Sequence, residues 1–136
     1  MDRLLEIVRA MRRRVDANGG YHVIKIICDD TGVVLWRRDA AGAMQRQAGF
    51  AWSAVTRVCF KDNGPASSDL LYVFTRDHPQ AWLIPLEASG GGDFWRQLPA
   101  RGLFPASLHE RATLAMDGRY YCWPPLGGFE DEAPWP

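Results

Sequence analysis

The sequence predicts an α+β domain: a bent antiparallel β-sheet or roll of six to seven strands, with an N-terminal amphipathic helix and a short late helix. Apolar residues recur at helical spacing within Met1 to Ala17, whereas from Tyr21 to Leu86 they fall in short runs separated by Gly, Asp, Asn and Pro. At 136 residues the chain is sized for one compact core, and 47% hydrophobic against 24% charged residues is the balance of a folded domain. The domain is expected over residues 1–125, with 126–136 as an extended Pro/Gly/acidic tail.

The helix comes first. Leu4, Val8, Met11 and Val15, widened by Leu5, form its apolar stripe, while Arg3, Glu6, Arg9, Arg12, Arg13 and Asp16 lie mostly off it, and Asn18-Gly19-Gly20 ends it. Charges interrupt the stretch too often for a signal peptide or a membrane span. Tyr21 to Cys28 is rich in β-branched residues and reads as a well-covered strand; Asp29-Asp30-Thr31-Gly32 turns it into a second arm, Val33 to Arg38. After Asp39-Ala40-Ala41-Gly42, the weaker segment Met44 to Phe50, alternating with polar residues, fits an exposed or edge strand better than a helix, given its short length and the flanking glycines.

Trp52, Val55 and Val58 stand at three-residue steps before alternation resumes through Phe60, so a single tight turn is expected to lead into a strand. Asp69 to Thr75 reads as a central strand. Ala81 to Leu86 pairs back, with Pro85 pushing that strand toward an edge or its own end because proline donates no ladder bond. After Gly90-Gly91-Gly92, Asp93 is placed to cap a short helix through Leu98, with Pro99 near its end. Further on, Ser107 to Glu110 matches a capping box, and Asp117-Gly118 between Thr113–Met116 and Arg119–Trp123 matches a hairpin; a helical turn followed by two strands is the reading adopted.

Cys28, Cys59 and Cys122 are odd in number, widely spaced and set in apolar runs, so they are expected to be reduced core residues of a cytoplasmic protein. No Cys-x-x-Cys or His-x-x-x-His pair occurs, and neither a metal nor a cofactor is expected. The best nucleophilic set, Cys59 or Ser68 with His78 and Asp77 or Asp69, lacks a glycine-framed elbow, and Arg76-Asp77-His78-Pro79 has the composition of a polar turn. The three glycines lack the Lys-Ser or Lys-Thr of a phosphate cradle. Sixteen basic residues balance sixteen acidic ones, which disfavours nucleic acid as partner despite the basic lean that arginines give the first sixty positions.

The order of hairpin, Trp52–Val58 turn into strand, Asp69–Phe74 strand, Trp82-Leu83-Ile84 strand and helix around Phe94-Trp95 resembles small bacterial pleckstrin-homology-like or GRAM-like domain proteins over residues 21–101. The resemblance implies a binding module, and some small bacterial proteins of this build are immunity proteins that block a toxin. It brings no catalytic motif.

Twelve per cent aromatic residues exceed what the strands can bury, and Trp123, Phe129 and Trp135 fall among prolines and glycines. The partner-binding residues expected are therefore Trp123, Phe129, Glu130, Asp131, Glu132 and Trp135, with the arginine face Arg9, Arg12 and Arg13 as a second place. The expected function is a non-enzymatic protein-binding module, most specifically a bacterial immunity or inhibitor protein that occludes a toxin and touches no membrane. A homo-oligomeric interaction or adaptor domain and a small enzyme with a site assembled from distant residues are the alternatives.

Overall fold

The structure is a computed structural model that describes residues 23–65 and 68–125; the expected N-terminal helix, with Arg9, Arg12 and Arg13, and the tail 126–136 lie outside the described residues. Within them the fold is mixed α+β with antiparallel sheets and two helices. The strands run β1 Val23–Cys28, β2 Gly32–Arg38, β3 Met44–Ala51, β4 Val55–Lys61, β5 Leu70–Thr75, β6 Trp82–Pro85 and β7 Tyr120–Trp123; helices α1 Gly91–Ala100 and α2 Ala106–Leu114 stand between β6 and β7.

The expected bent sheet or roll is divided into two antiparallel sheets. One has the order β1-β2-β3, the other β6-β5-β4-β7. The chain passes between them through the 3-10 turn Trp52–Ala54, where the indole Nε1 of Trp52 donates to the Asp29 carbonyl at 2.8 Å and ties the crossing to the first hairpin. That hairpin is closed by Asp29, whose carboxylate accepts from the Thr31 hydroxyl and from the Thr31 and Gly32 amides; these bonds hold its pKa below the ordinary value. β3 is an edge strand, and Pro85 is the last residue of the edge strand β6, where its missing N–H costs nothing.

The core lies between the two sheets under α1. Leu35, Val58, Leu71, Val73, Ile84, Phe94 and Leu98 are fully buried there, and each side chain of this kind contributes about 1.5–3 kcal/mol on leaving water. α1 is capped by Gly90 rather than by Asp93. Gly90 holds φ +84 against β1, and a Cβ on it would sit 2.2 Å from the Ile26 carbonyl oxygen, so only glycine fits. Asp93 instead lies in the first turn, where its carboxylate meets Arg96 at 3.5 Å and accepts from Gln97 at 2.8 Å.

The expected hairpin around Asp117-Gly118 does not form. α2 runs on through Thr113 and Leu114, and β7 pairs with β4 instead, Phe60 opposite Tyr121 and Cys59 opposite Cys122. Leu114 and Met116 are 74% and 75% exposed, so the supposed first arm has no buried face to hold it in a sheet.

This pairing overturns the reading of three reduced cysteines. Cys59 and Cys122 form a disulfide across β4 and β7, and Cys28 is the free thiol. Spacing along the chain could not reveal a bridge made by two strands 63 residues apart. Thiol titration of the unfolded, unreduced protein is therefore expected to count one thiol per chain and, after reduction, three; three without reduction would show the bridge absent.

Candidate functional site

The one described member of the expected partner-binding set is Trp123; Phe129, Glu130, Asp131, Glu132 and Trp135, like the arginine face, fall outside the described residues. Trp123 ends β7, which stands at one edge of the four-stranded sheet among the described residues, and is 40% exposed. Its neighbours Tyr120, Tyr121 and Cys122 are buried, so the strand is anchored by three residues and presents the fourth.

Two clefts flank the indole. On one side, α2 and β7 enclose about 430 Å³ lined by Pro105, Leu108, Arg111, Tyr121, Trp123 and Pro125 among others. On the other, the start of β4 and the loop after α1 enclose about 210 Å³ bounded by Val55, Arg57, Leu103, Trp123 and Pro124. Arg57 Nε donates to the Pro124 carbonyl at 2.9 Å, which fixes the backbone just past the indole. The Cα atoms of Cys59 and Cys122 are only 4.1 Å apart, the close spacing of an antiparallel pair that exchanges no hydrogen bonds. The Cys122 N–H and C=O therefore point away from β4, on the side of the larger cleft.

The polar groups at that cleft are few and placed. The Arg111 guanidinium lies 6.0 Å from the centre of the Tyr121 ring, and the Tyr121 hydroxyl donates to Asp117 Oδ2 at 2.5 Å. Burial pushes the Tyr121 phenol up to about 12, helped by that bond and by the negative charge of Asp117. At Asp117 burial acts upward, but the bonds from Tyr121 and the Arg119 amide outweigh it, and its pKa lies below the ordinary value. Because the folded state holds the phenolic proton more tightly, wild type is expected to lose stability more steeply than Tyr121→Phe as pH rises from 10 to about 12. Urea unfolding of the two proteins across that range checks it; parallel curves would show the phenol unperturbed.

The residues weighed as a nucleophilic set and set aside are not brought together. Ser68 precedes β5 and His78 follows it, so a six-residue strand, roughly 20 Å, separates them. Cys59 is bridged, and Asp69 accepts from the Asn63 amide, its pKa raised chiefly by burial. His109 is a packing residue: its ring stacks on Trp95 at 3.9 Å while Nε2 donates to the Trp95 carbonyl at 2.9 Å. Cys28 is pushed up to about 11 by burial and by Asp93, which leaves its thiol protonated and weakly nucleophilic at neutral pH. Among the described residues no three His, Cys, Asp or Glu side chains gather in a way that could hold a metal.

The aromatic residues considered for nucleic-acid stacking are engaged as well. Trp52 stacks on Phe94 at 5.6 Å, and Arg101 covers its ring at 4.1 Å. Trp36 is half-buried between its cross-strand neighbours Lys25 and Arg46. No described helix is long and apolar enough to cross a membrane. Sequence reasoning singled out Trp123 by its proline-rich context, but it missed Arg111, Tyr121 and Asp117. Their meeting depends on β7 reaching β4, which no local pattern announces. Compared with known proteins, the chain matches no family model, no curated protein and no solved structure.

Proposed function

We propose that the chain is a non-enzymatic protein-binding module whose contact surface is centred on Trp123. The observation that carries this reading is a large indole held 40% exposed on a rigid strand end between two clefts. Tryptophan and arginine anchors in desolvated pockets dominate interface energetics, and here Trp123 stands beside Arg111 at an apolar cleft. A partner offering an apolar side chain to the cleft and a carboxylate or carbonyl to Arg111 suits this chemistry.

The more specific reading, an immunity or inhibitor protein that occludes a toxin, belongs to the same proposal. It draws on the resemblance to pleckstrin-homology-like modules, which rests on the strand order followed by the helix around Phe94 and Trp95. A gene for a toxin directly beside this one would support it. The cystine weighs against the expected cytoplasmic location, because persistent disulfides belong to oxidising compartments.

The test is capture of native partners with wild type and Trp123→Ala in parallel, then calorimetry with the captured partner. The variant is expected to fold normally, since the indole is exposed, and to bind at least about 2 kcal/mol more weakly, roughly 30-fold. Equal affinity would remove Trp123 from the interface.

A further inference from the structure

The four-stranded sheet has two buried faces, and the described residues cover only one. Val58, Phe60, Leu71, Val73, Ile84 and Tyr121 point into the core shared with α1 and the first sheet. Strand alternation sends Cys59, Tyr72, Phe74, Tyr120 and Cys122 to the opposite face. These too are buried, at 8% exposure or less, with Leu70 and Leu83 packed against them. Every described hydrophobic residue in this second cluster comes from the sheet itself or from Ala81 beside β6. Two tyrosines and a phenylalanine on a sheet face are dry only if something lies over them.

We propose that residues 1–17 are that cover, laid across β6-β5-β4-β7 by the stripe Leu4, Leu5, Val8, Met11 and Val15. The dimensions agree: seventeen residues in a helix span about 25 Å, and four strands are about 20 Å across. The point of attachment agrees as well. β1 is bound to the chain just past β6, the Ile26 amide donating to the Ser89 carbonyl at 2.7 Å and the Ser89 amide to Ile24 at 3.0 Å. A segment leaving the start of β1 therefore departs beside the β6 edge, and the five residues Asn18 to His22 reach about 17 Å around it. The tail 126–136 is a poorer occupant, since Gly127-Gly128 and Glu130-Asp131-Glu132 break up its apolar residues. A cover of this kind directs Arg9, Arg12 and Arg13 away from the sheet, on the side of the molecule opposite the core.

A photoreactive diazirine analogue of leucine at Leu83 in the full-length protein tests the assignment with little change of shape. Irradiation is expected to give a cross-link within one chain, at monomer mass, to a peptide from residues 1–22. A cross-link between two chains would assign the face to a second copy, and one to residues 126–136 would assign it to the tail; either result, or no cross-link, overturns the proposal. In parallel, Val8→Asp is expected to lower the melting temperature by about 10 °C or more by placing a charge in the stripe, whereas Glu6→Gln, off the stripe, leaves it within about 2 °C. Equal melting temperatures for the two would also overturn it.

Discussion

Phe94→Ala is expected to destabilise the protein by about 3–5 kcal/mol, the range for removing a large aromatic from a filled core. Phe94 has no exposed surface; it stacks on Trp52 at 5.6 Å with ring planes 10° apart and meets Phe50 edge-on at 6.2 Å. The three rings belong to α1, to the crossing turn between the sheets and to β3, so the deletion empties the place where all three meet. Collapse is opposed on two sides. Trp52 is tied to Asp29 by its indole N–H and covered by Arg101, while Gly90 locks the start of α1 against β1. A domain of this size has roughly 5–15 kcal/mol to lose, so the variant should unfold at a much lower urea concentration with an unchanged slope. A loss under about 1 kcal/mol would mean that α1 is not seated between the sheets.

The parts of this fold that were legible in the sequence are those specified by near neighbours. β1 with β2 is announced by β-branched runs around Asp29-Asp30-Thr31-Gly32, and the structure shows why: the Asp29 carboxylate alone gathers three donors from the turn. The tight turn at Trp52 and the edge position of Pro85 are local in the same sense, since a three-residue step and a missing N–H are read without knowing the rest of the fold. β7 is the opposite case. Asp117-Gly118 carries a hairpin signature, and Gly118 does adopt φ +73, but Asp117 spends its carboxylate on the Arg119 amide and the Tyr121 hydroxyl. The strand that follows is taken by β4, which pairs with it and leaves Tyr121 on one buried face and Tyr120 and Cys122 on the other; Thr113 and Leu114 are exposed, have no such faces to offer and stay helical. The disulfide, the larger cleft and the Arg111–Tyr121–Asp117 group all descend from that non-local choice.

Gly49→Ala is expected to cost about 3 kcal/mol, the upper end of what a forced contact in a packed sheet costs, although it adds only one methyl group. β3 passes so close to β2 that a Cβ on Gly49 would lie 1.7 Å from the Val33 carbonyl oxygen and 2.7 Å from its carbon. Backbone cannot rotate away as a side chain can. Relief would require β3 to leave β2 at the irregularity already present between Val33 and Leu35, where the register shifts. Moving that contact also displaces Phe50, opposite Val33, from its place against Trp82 and Phe94. Gly42, in the turn before β3, supplies the comparison: it holds φ +85 with nothing within 4 Å of an added Cβ, so Gly42→Ala pays only for the left-handed backbone, about 1–2 kcal/mol. Urea unfolding of both variants should rank Gly49→Ala clearly below Gly42→Ala. Equal stabilities would mean that β2 and β3 approach less closely than this, and that the flanking glycines mark only an edge strand, as their sequence pattern alone suggests.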